Sequence, residues 1–222
     1  MKLFNFHSSS TSFRTRIALN LKGIEVEQVP VHLRWKNGDQ DADEYKARNP
    51  QANVPILVLD DGHELVQSMA IIEYLDETHP EPALLPADPI DRARVRALAL
   101  WIACEIQPLN NLRTQRKLVE LYAADRPSLS RWQLLWVEVG FDALEKMLAT
   151  DPRTGNFCHG NAPTIADLFL VPQVYNSQRP VVGADLGKWP IIKRIYDRCL
   201  AVPAFDRALP TKQPGFESPD GH

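Results

Sequence analysis

The sequence predicts an α+β chain in which a small mixed β-sheet with helices is followed by an all-helical portion. Strand-like and helix-like apolar spacings alternate over the first eighty residues, whereas no strand pattern competes with helix after Ile90. The stretch from His79 to Pro89 is rich in proline and lacks a helical period, which is typical of a linker. We therefore expect a first domain over residues 1–80, a linker over 81–90 and a second domain over 91–222.

The first strand and helix are predicted by a change of period. Residues Lys2 to Phe6 alternate apolar with polar, which predicts a strand. After a polar run, Phe13 to Lys22 place apolar residues at helical spacing, and Gly23 is a typical helix end. Glu25 to Leu33 predict a second strand, and Pro30 favours a place at the sheet edge because proline has no N–H to donate.

The remainder of the first domain predicts a hairpin between two helices. A charged loop and a short helix are expected over Arg34 to Arg48. Val54 to Leu59 and Glu64 to Val66 are short apolar runs joined by Asp-Gly, a hairpin signal. Ser68 is the expected N-cap of a helix over Met69 to Thr78. The resulting order βαβαββα is that of thioredoxin-like domains.

The second domain is predicted to be entirely helical. Thr164-Ile165-Ala166-Asp167 fits a capping box, for which we expect a structural role only. The tail after Pro210 is rich in proline, glycine and polar residues, so we expect it to be flexible. The expected helices are Arg92–Val119, interrupted by Pro108, Ser128–Leu148, Thr164–Val174 and Trp189–Leu200.

Charge and composition exclude several classes of partner. The net charge of −3 gives no global attraction to nucleic acid or to an anionic membrane. No apolar stretch approaches the roughly 20 residues that span a bilayer, and the N-terminal apolar run is too short for a secretory signal, so we expect a cytoplasmic protein. Cys104, Cys158 and Cys199 are widely separated, which favours free thiols and no metal site.

Several segments together resemble the glutathione transferases, and in particular their zeta class. Residues Ser8 to Leu19 resemble the signature in which Ser-Ser-Cys-Ser precedes Arg-x-Arg-Ile-Ala-Leu. Asn49 to Pro55 resemble the cis-proline loop of the family, and Gln67 to Leu75 match its glutathione-binding element. Ile106 to Leu112 and Leu170 to Val174 are similar to zeta-class segments in the second half. The resemblance implies the cytosolic glutathione transferase fold, a homodimer and glutathione as cofactor.

The chain departs from the zeta-class signature at two positions. Thr11 stands where the class has cysteine, as it does in related maleylpyruvate isomerases. Ser8 stands where an arginine is common, which removes one anchor for a substrate carboxylate.

Thiolate stabilisation is the chemistry that the serine-rich run can supply. A free thiol ionises near pH ~8.5, and a helix N-terminus with nearby hydroxyls favours the anion. We predict that Ser9 and Thr11 stabilise the glutathione thiolate, with Ser10 as the next candidate. The alternative is that these hydroxyls only cap the helix and form a turn.

The remaining glutathione contacts are assigned through the resemblance. It implies that the Val54 backbone, preceding a cis Pro55, pairs with the cysteinyl main chain; an ordinary trans edge proline is the alternative. Gln67 and Ser68, at a helix start, suit the γ-glutamyl carboxylate. The further candidates are Gln40 and Asn53 for the glycine end, and Gln107 and Asn111, four apart on one helix face, for polar contacts that a neighbouring subunit could provide.

The substrate side is expected to require cations. Arginine binds carboxylates through two parallel hydrogen bonds and stays charged. Arg113 and Arg179 match basic positions of the isomerases by resemblance, although most arginines on helices are ordinary surface residues. The leading hypothesis is a cis–trans isomerase of aromatic catabolism that converts maleylacetoacetate to fumarylacetoacetate. The alternatives are maleylpyruvate as substrate, general glutathione conjugation or α-haloacid dehalogenation, and a binding module without activity.

Overall fold

The computed structural model describes residues 1–33 and 38–216. The chain forms two compact units. Unit 1 consists of Met1–Ala83 together with the segment from Val202 onward, and unit 2 consists of Leu84–Ala201. The C-terminal segment therefore groups with unit 1, not with the helical domain to which the sequence pattern assigned it.

Unit 1 contains a four-stranded mixed sheet in the order β2-β1-β3-β4. The strands are β1 (Lys2–Asn5), β2 (Glu27–Pro30), β3 (Ile56–Val58) and β4 (Glu64–Val66). β1 runs parallel to β2 and antiparallel to β3, which pairs with β4 as a hairpin. The edge position of β2 and the hairpin are confirmed. β2 and β3 are shorter than their expected ranges, and β4 has the expected bounds.

The helices of unit 1 are α1 (Ser10–Lys22), α2 (Asp43–Arg48) and α3 (Ser68–Thr78). α1 begins three residues before the expected start, because Ser9 already has a capping conformation and accepts a hydrogen bond from the Ser12 amide. Gly23 ends α1 with a φ of 66°, which confirms the glycine stop signal. The predicted loop at Arg34 to Asn37 lies outside the described residues.

The C-terminal segment of unit 1 contains a short helix that the pattern did not reveal. After the last helix of unit 2, Pro203–Arg207 form α10, which packs against α1. The Asn20 side-chain amide donates to the Ala204 carbonyl at 2.9 Å. The flexibility of the tail after Pro210 stays a prediction; in its described part, the Phe216 ring lies edge-on to the His7 ring, with 5.6 Å between the ring centroids.

Unit 2 is helical over all its regular segments that the structure describes, as expected. The long helix predicted over Arg92–Val119, with an interruption at Pro108, is divided at more places than expected. It is divided into α4 (Pro89–Leu100), a wide π-helical segment (Trp101–Ile106), α5 (Gln107–Asn110) and α6 (Leu112–Tyr122). The later helices are α7 (Arg126–Thr150), α8 (Ile165–Ser177) and α9 (Pro190–Leu200).

The break in the long helix has identifiable causes. The Trp101 indole N–H donates to the Gly140 carbonyl of α7 at 3.0 Å. The Ile106 side chain occupies the space over Gly140, where a Cβ would lie 2.3 Å from Ile106 Cγ1. Pro108 has no N–H to continue the ladder, and the Asn111 side chain caps α6 by accepting from the Thr114 amide at 2.9 Å.

The capping box of α8 is confirmed and has a structural role. Asp167 is fully buried, and its carboxylate accepts from the Thr164 amide at 2.8 Å, the Thr164 hydroxyl at 2.9 Å and the Cys158 amide at 2.8 Å. Burial raises the pKa of Asp167, and these donors oppose that shift. The carboxylate thus joins the loop before α8 to the start of the helix.

Across residues 1–33 and 38–216, no helix combines the length and the apolar composition needed to cross a bilayer.

Candidate functional site

The start of α1 places the serine-rich run at a helix N-terminus. Ser9 is the N-cap, and its Oγ accepts from the Ser12 amide at 3.3 Å. The Phe13 amide donates to the Ser9 carbonyl at 2.8 Å, which closes the first turn. Ser10 and Thr11 are the first residues of the helix and, like Ser9, are partly exposed. The expected hydroxyls therefore lie together where the helix dipole is positive.

A chain of hydrogen bonds connects these hydroxyls to the loop before β3. Ser9 Oγ and Thr11 Oγ1 are 2.8 Å apart, and Thr11 Oγ1 donates to the Val54 carbonyl at 2.8 Å. A hydroxyl has one hydrogen. Because the Thr11 hydrogen points to Val54, Ser9 is the donor in the Ser9–Thr11 pair. The Thr11 hydrogen is committed to Val54, so Ser9 is the hydroxyl that can give up its bond to Thr11 and turn its hydrogen towards a ligand at the helix start.

The Val54–Pro55 peptide bond is cis, as the resemblance implied. The Val54 side chain is buried in a cluster with Val31, Tyr45 and Ile56, and this packing anchors the loop. The Val54 carbonyl is the acceptor of the Thr11 hydrogen bond. The preceding carbonyl, that of Asn53, accepts from the Tyr45 hydroxyl at 2.9 Å. Burial raises the pKa of Tyr45, which keeps the hydroxyl protonated as that donor.

The start of α3 differs from the expected capping pattern. Ser68 is the first helical residue, and Gln67 occupies the N-cap position with φ 70° and ψ 112°. The chain must turn sharply from β4 into α3 here, and this turn holds Gln67 in a left-handed conformation that non-glycine residues rarely adopt. The Gln67 side chain does not cap the helix; its amide donates to Gln51 Oε1 at 2.6 Å. The amides of the first turn of α3 are thus not capped by that side chain.

The two candidates for the glycine end of glutathione have different surroundings. Gln40 is only 3% exposed, and its Nε2 donates to the Asp41 carboxylate at 3.1 Å. The side chain of Asn53 is exposed, whereas its carbonyl is held by Tyr45 and by Asn49 Nδ2 at 2.8 Å.

The candidates in unit 2 require one correction. Gln107 and Asn111 do not share a helix face, because Asn111 has an extended backbone and caps α6 instead of continuing α5. Gln107 begins α5 and is partly exposed. Arg113 lies in the first turn of α6, Arg179 follows the end of α8, and both are exposed.

Two residues that the sequence analysis did not select are important in unit 1. Gln51 contacts Gln67, but it lies in a loop and no local pattern singles it out. Arg16 is part of the quoted signature, yet its burial at 2% exposure, like that of Arg14, is not visible from the helical pattern, because arginine is mostly exposed in proteins. In the described part of the chain, no group of three or more His, Cys, Asp or Glu residues could hold a metal ion.

The comparisons with known proteins identify the family. The glutathione S-transferase N-terminal domain family model matches residues 1–77, and the glutathione S-transferase C-terminal domain model matches residues 138–198. With relatives that match along nearly its whole length, the chain belongs to the glutathione S-transferase family. The expected fold, a thioredoxin-like domain followed by an all-α domain, is confirmed.

The more particular resemblance is to isomerases of the zeta class. Curated relatives that are 40–47% identical carry the name maleylpyruvate isomerase or maleylacetoacetate isomerase. The maleylpyruvate isomerase of a Ralstonia species is 47% identical over 215 residues, which cover 96% of this chain and 99% of the relative.

Two solved structures match closely. One, a holo maleylpyruvate isomerase described as a bacterial zeta-class glutathione S-transferase, has a TM-score of 0.93 and 45% identity, and the match covers 98% of this chain and 100% of that one. The other is a maleylacetoacetate isomerase from Methylobacterium extorquens AM1 with bound malonate and glutathione. Its TM-score is 0.92 and its identity 39%, over 98% of this chain and 100% of that one.

Proposed function

We propose that this protein is a glutathione-dependent isomerase that converts maleylacetoacetate to fumarylacetoacetate, with maleylpyruvate as the alternative substrate. One observation carries the proposal: the hydrogen-bond chain from Ser9 through Thr11 to the Val54 carbonyl. It couples a hydroxyl at the start of α1 to the loop backbone that we assign to the cysteinyl part of glutathione. Relatives with this activity in their names support the same conclusion.

The donors of unit 1 fit an acidic tripeptide with a thiol. The starts of α1 and α3 offer backbone amides and hydroxyls, which favour anions. When bound, glutathione supplies a thiolate that adds to the cis double bond, which can then rotate as a single bond before the thiolate leaves and the trans bond forms. The protein must ionise that thiol and must hold glutathione and the substrate so that the sulfur can reach the double bond.

On the thiol side, Ser9 is the principal donor in this proposal. This residue is partly exposed at the α1 N-terminus, and on binding its hydroxyl exchanges the bond to Thr11 for one to the sulfur. Ser10 is a second candidate donor in the first turn of α1. Lowering the pKa of a thiol by one unit requires about 1.4 kcal/mol, which a helix N-terminus and one charge-assisted hydrogen bond together can provide.

The ends of glutathione are assigned to separate parts of unit 1. The γ-glutamyl carboxylate is assigned to the hydroxyl and amide of Ser68 with the side chain of Gln67. The cysteinyl main chain is assigned to the N–H and the carbonyl of Val54, beside Pro55; the carbonyl keeps a second lone pair beyond the Thr11 bond. Gln40 and Asn53 are assigned to the glycine end.

The substrate carboxylates are assigned to Arg113 and Arg179. Both are exposed, and a guanidinium can bind a carboxylate through two donors. The related structure from Methylobacterium extorquens AM1 contains both bound malonate, a small dicarboxylate, and glutathione, which supports this assignment. Gln107 and Asn111 are assigned to polar contacts with glutathione, which we propose to occur in a cytosolic homodimer.

Turnover measurements test this function. Purified protein with glutathione should isomerise maleylacetoacetate or maleylpyruvate, and no activity without glutathione is expected. Arg113→Ala and Arg179→Ala should each raise the KM for the dicarboxylate at least tenfold, whereas Arg131→Ala, another arginine on an exposed helix surface, should not. Turnover of neither maleyl ketoacid would refute the proposal. Conjugation of haloaromatic compounds at an undiminished rate in the Arg113 and Arg179 variants would favour a general transferase instead.

A further inference from the structure

Arg16 is a buried cation that interacts with neutral oxygen atoms. Its side chain lies on the inner face of α1 and is 2% exposed. Nη1 donates to Asn5 Oδ1 at 3.0 Å, and Nη2 donates to the His7 carbonyl at 2.9 Å. Among the carboxylates of the described residues, none forms an ion pair with it. Burial of a guanidinium without an acidic partner is costly, and it lowers the pKa of Arg16 to about 9. Because burying this guanidinium costs desolvation free energy, we expect it to have a specific role at the oxygen atoms that it binds.

The oxygens that Arg16 binds belong to the turn that delivers Ser9 to the helix start. The Ser9 amide donates to the Phe6 carbonyl at 3.1 Å, which defines the turn from Phe6 to Ser9. Arg16 Nη1 also reaches the Phe6 carbonyl, at 3.4 Å, while Nη2 holds the following carbonyl, that of His7. The first two carbonyls of the turn, those of Phe6 and His7, are therefore held by one planar guanidinium, and their orientation helps to set the backbone of Ser9.

The same guanidinium binds the C-terminal segment of unit 1. Nε and Nη2 both donate to the Ala208 carbonyl, at 3.3 Å and 3.1 Å. Ala208 is 1% exposed, and α10 immediately before it packs against α1. The C-terminal segment thus closes one side of the guanidinium, and the turn closes the other.

From this arrangement we infer that Arg16 is a positioning residue for thiol activation: its guanidinium fixes the Phe6–Ser9 turn against the C-terminal segment and so places Ser9 at the start of α1, where its hydroxyl can donate to the sulfur of glutathione. This inference rests on the proposed function. Its cause is geometric, because the fork of the guanidinium reaches four oxygen atoms at once. A lysine at this position keeps the charge but has a single ammonium, which cannot match that fork.

Two variants and one control distinguish the positioning effect of the Arg16 guanidinium from the effect of its charge and from a general loss of protein stability. Arg16→Gln removes the charge and the fork, and Arg16→Lys removes only the fork. Lys22→Met is the control, since it removes another buried cation of α1, one that binds Asp76 at 2.7 Å and the Pro82 carbonyl at 2.7 Å. The readout is the pH titration of thiolate absorbance in the glutathione complex, with thermal unfolding of each free protein in parallel.

We expect the titration midpoint to rise by about one pH unit in Arg16→Gln, a tenfold fall in the thiolate-to-thiol ratio, and to rise measurably in Arg16→Lys as well. The midpoint of Lys22→Met should equal that of the wild type even if its unfolding temperature falls. The kcat of the Arg16 variants should recover at high pH, while the KM for glutathione changes little. If Arg16→Gln does not fold, Arg16→Lys carries the test.

A wild-type midpoint in Arg16→Lys would overturn the inference, because charge without the fork would then suffice. An equal rise in Lys22→Met would also overturn it, because the effect would then be a general loss of stability. These outcomes are distinct from failure of the proposed function, in which the wild type itself shows no thiolate and turns over neither maleyl ketoacid.

Discussion

The Thr11 hydroxyl donates a 2.8 Å hydrogen bond to the carbonyl of Val54. This bond joins the first turn of α1 to the loop that precedes β3, and it decides the direction of the neighbouring bond from Ser9. We therefore assign Thr11 to holding the loop, and Ser9 to the interaction with the ligand.

Replacement of Thr11 tests that division of roles. Thr11→Val keeps the shape of the side chain but removes the donor, so the buried residue Val54 loses a partner for its carbonyl. We expect a loss of about 0.5–1.5 kcal/mol in the free energy of unfolding, the net range for one hydrogen bond, because a carbonyl that is open to a ligand can bind water in the free protein. Thr11→Ser, which keeps the hydroxyl, should lose less. Denaturant unfolding of both variants measures the difference, and equal stabilities would contradict the assigned bond.

Replacement of Gln67 should affect the stability of the protein and its affinity for glutathione in different ways. The Gln67 φ of 70° with ψ of 112° is a strained conformation for a residue with a side chain, at a typical cost of about 1–3 kcal/mol. Gln67→Gly relieves the strain, whereas Gln67→Ala keeps it, and both remove the bond to Gln51.

We therefore expect Gln67→Gly to be more stable than Gln67→Ala by about 1 kcal/mol, after the greater chain entropy of glycine is subtracted. Both variants should bind glutathione more weakly than the wild type, because each lacks the side-chain amide. Unfolding curves and calorimetric titration with glutathione provide the two numbers. A less stable Gln67→Gly would show that this backbone is not strained.

Gly140 should be essential for the packing of the π-helical segment. A Cβ at this position would lie 2.3 Å from Ile106 Cγ1 and 2.4 Å from Ile106 Cδ1. Gly140→Ala should cost about 1–3 kcal/mol through overpacking. Because Ile106→Ala removes the clashing atoms, the double variant should be more stable than the sum of the two single losses predicts. A double-mutant cycle from unfolding data checks this expectation, and additive losses would contradict the contact.

Asp151 should make the stability of unit 2 sensitive to acid. The Arg153 side chain, which binds both carboxylate oxygens, and then Arg94 hold the pKa of Asp151 well below its usual range. For a carboxyl whose pKa is lowered by folding, the stabilisation is present above the ordinary pKa of 3.8 and is lost as the pH falls towards the lowered value.

The stability difference between the wild type and Asp151→Asn should therefore be constant at neutral pH and should narrow as the pH falls below about 4. Thermal unfolding measured across this range tests the sign. A difference that widens in acid would contradict the assigned interaction.

Local signals in the sequence predicted most of unit 1. Gly23 ends α1, and the Asp61-Gly62 turn forms the hairpin, because each signal acts on its own neighbours in the chain. The position after a strand also led to the selection of the hydroxyls of Ser9 and Thr11, which the structure places at the start of α1. The Thr11–Val54 bond was not predictable, since its partners are 43 residues apart.

The errors share a physical cause, which is tertiary contact. The long helix over Arg92–Val119 divides partly because Ile106 packs on Gly140 of another helix, a contact that no window of sequence contains. Ser68 was expected to be a cap because serine favours that position, but the turn from β4 assigns the cap position to Gln67. α10 has five residues and depends on packing against α1, so it carries too weak a pattern to be recognised.

The most direct test of the central claim is the ultraviolet difference spectrum of the glutathione complex at neutral pH, recorded for the wild type, Ser9→Ala and Ser9→Thr. We expect strong thiolate absorbance in the wild type, its loss in Ser9→Ala and its partial return in Ser9→Thr, which restores a hydroxyl at the N-cap. A wild-type complex without thiolate absorbance, or a Ser9→Ala complex that equals the wild type, would contradict the claim that this hydroxyl ionises the bound thiol.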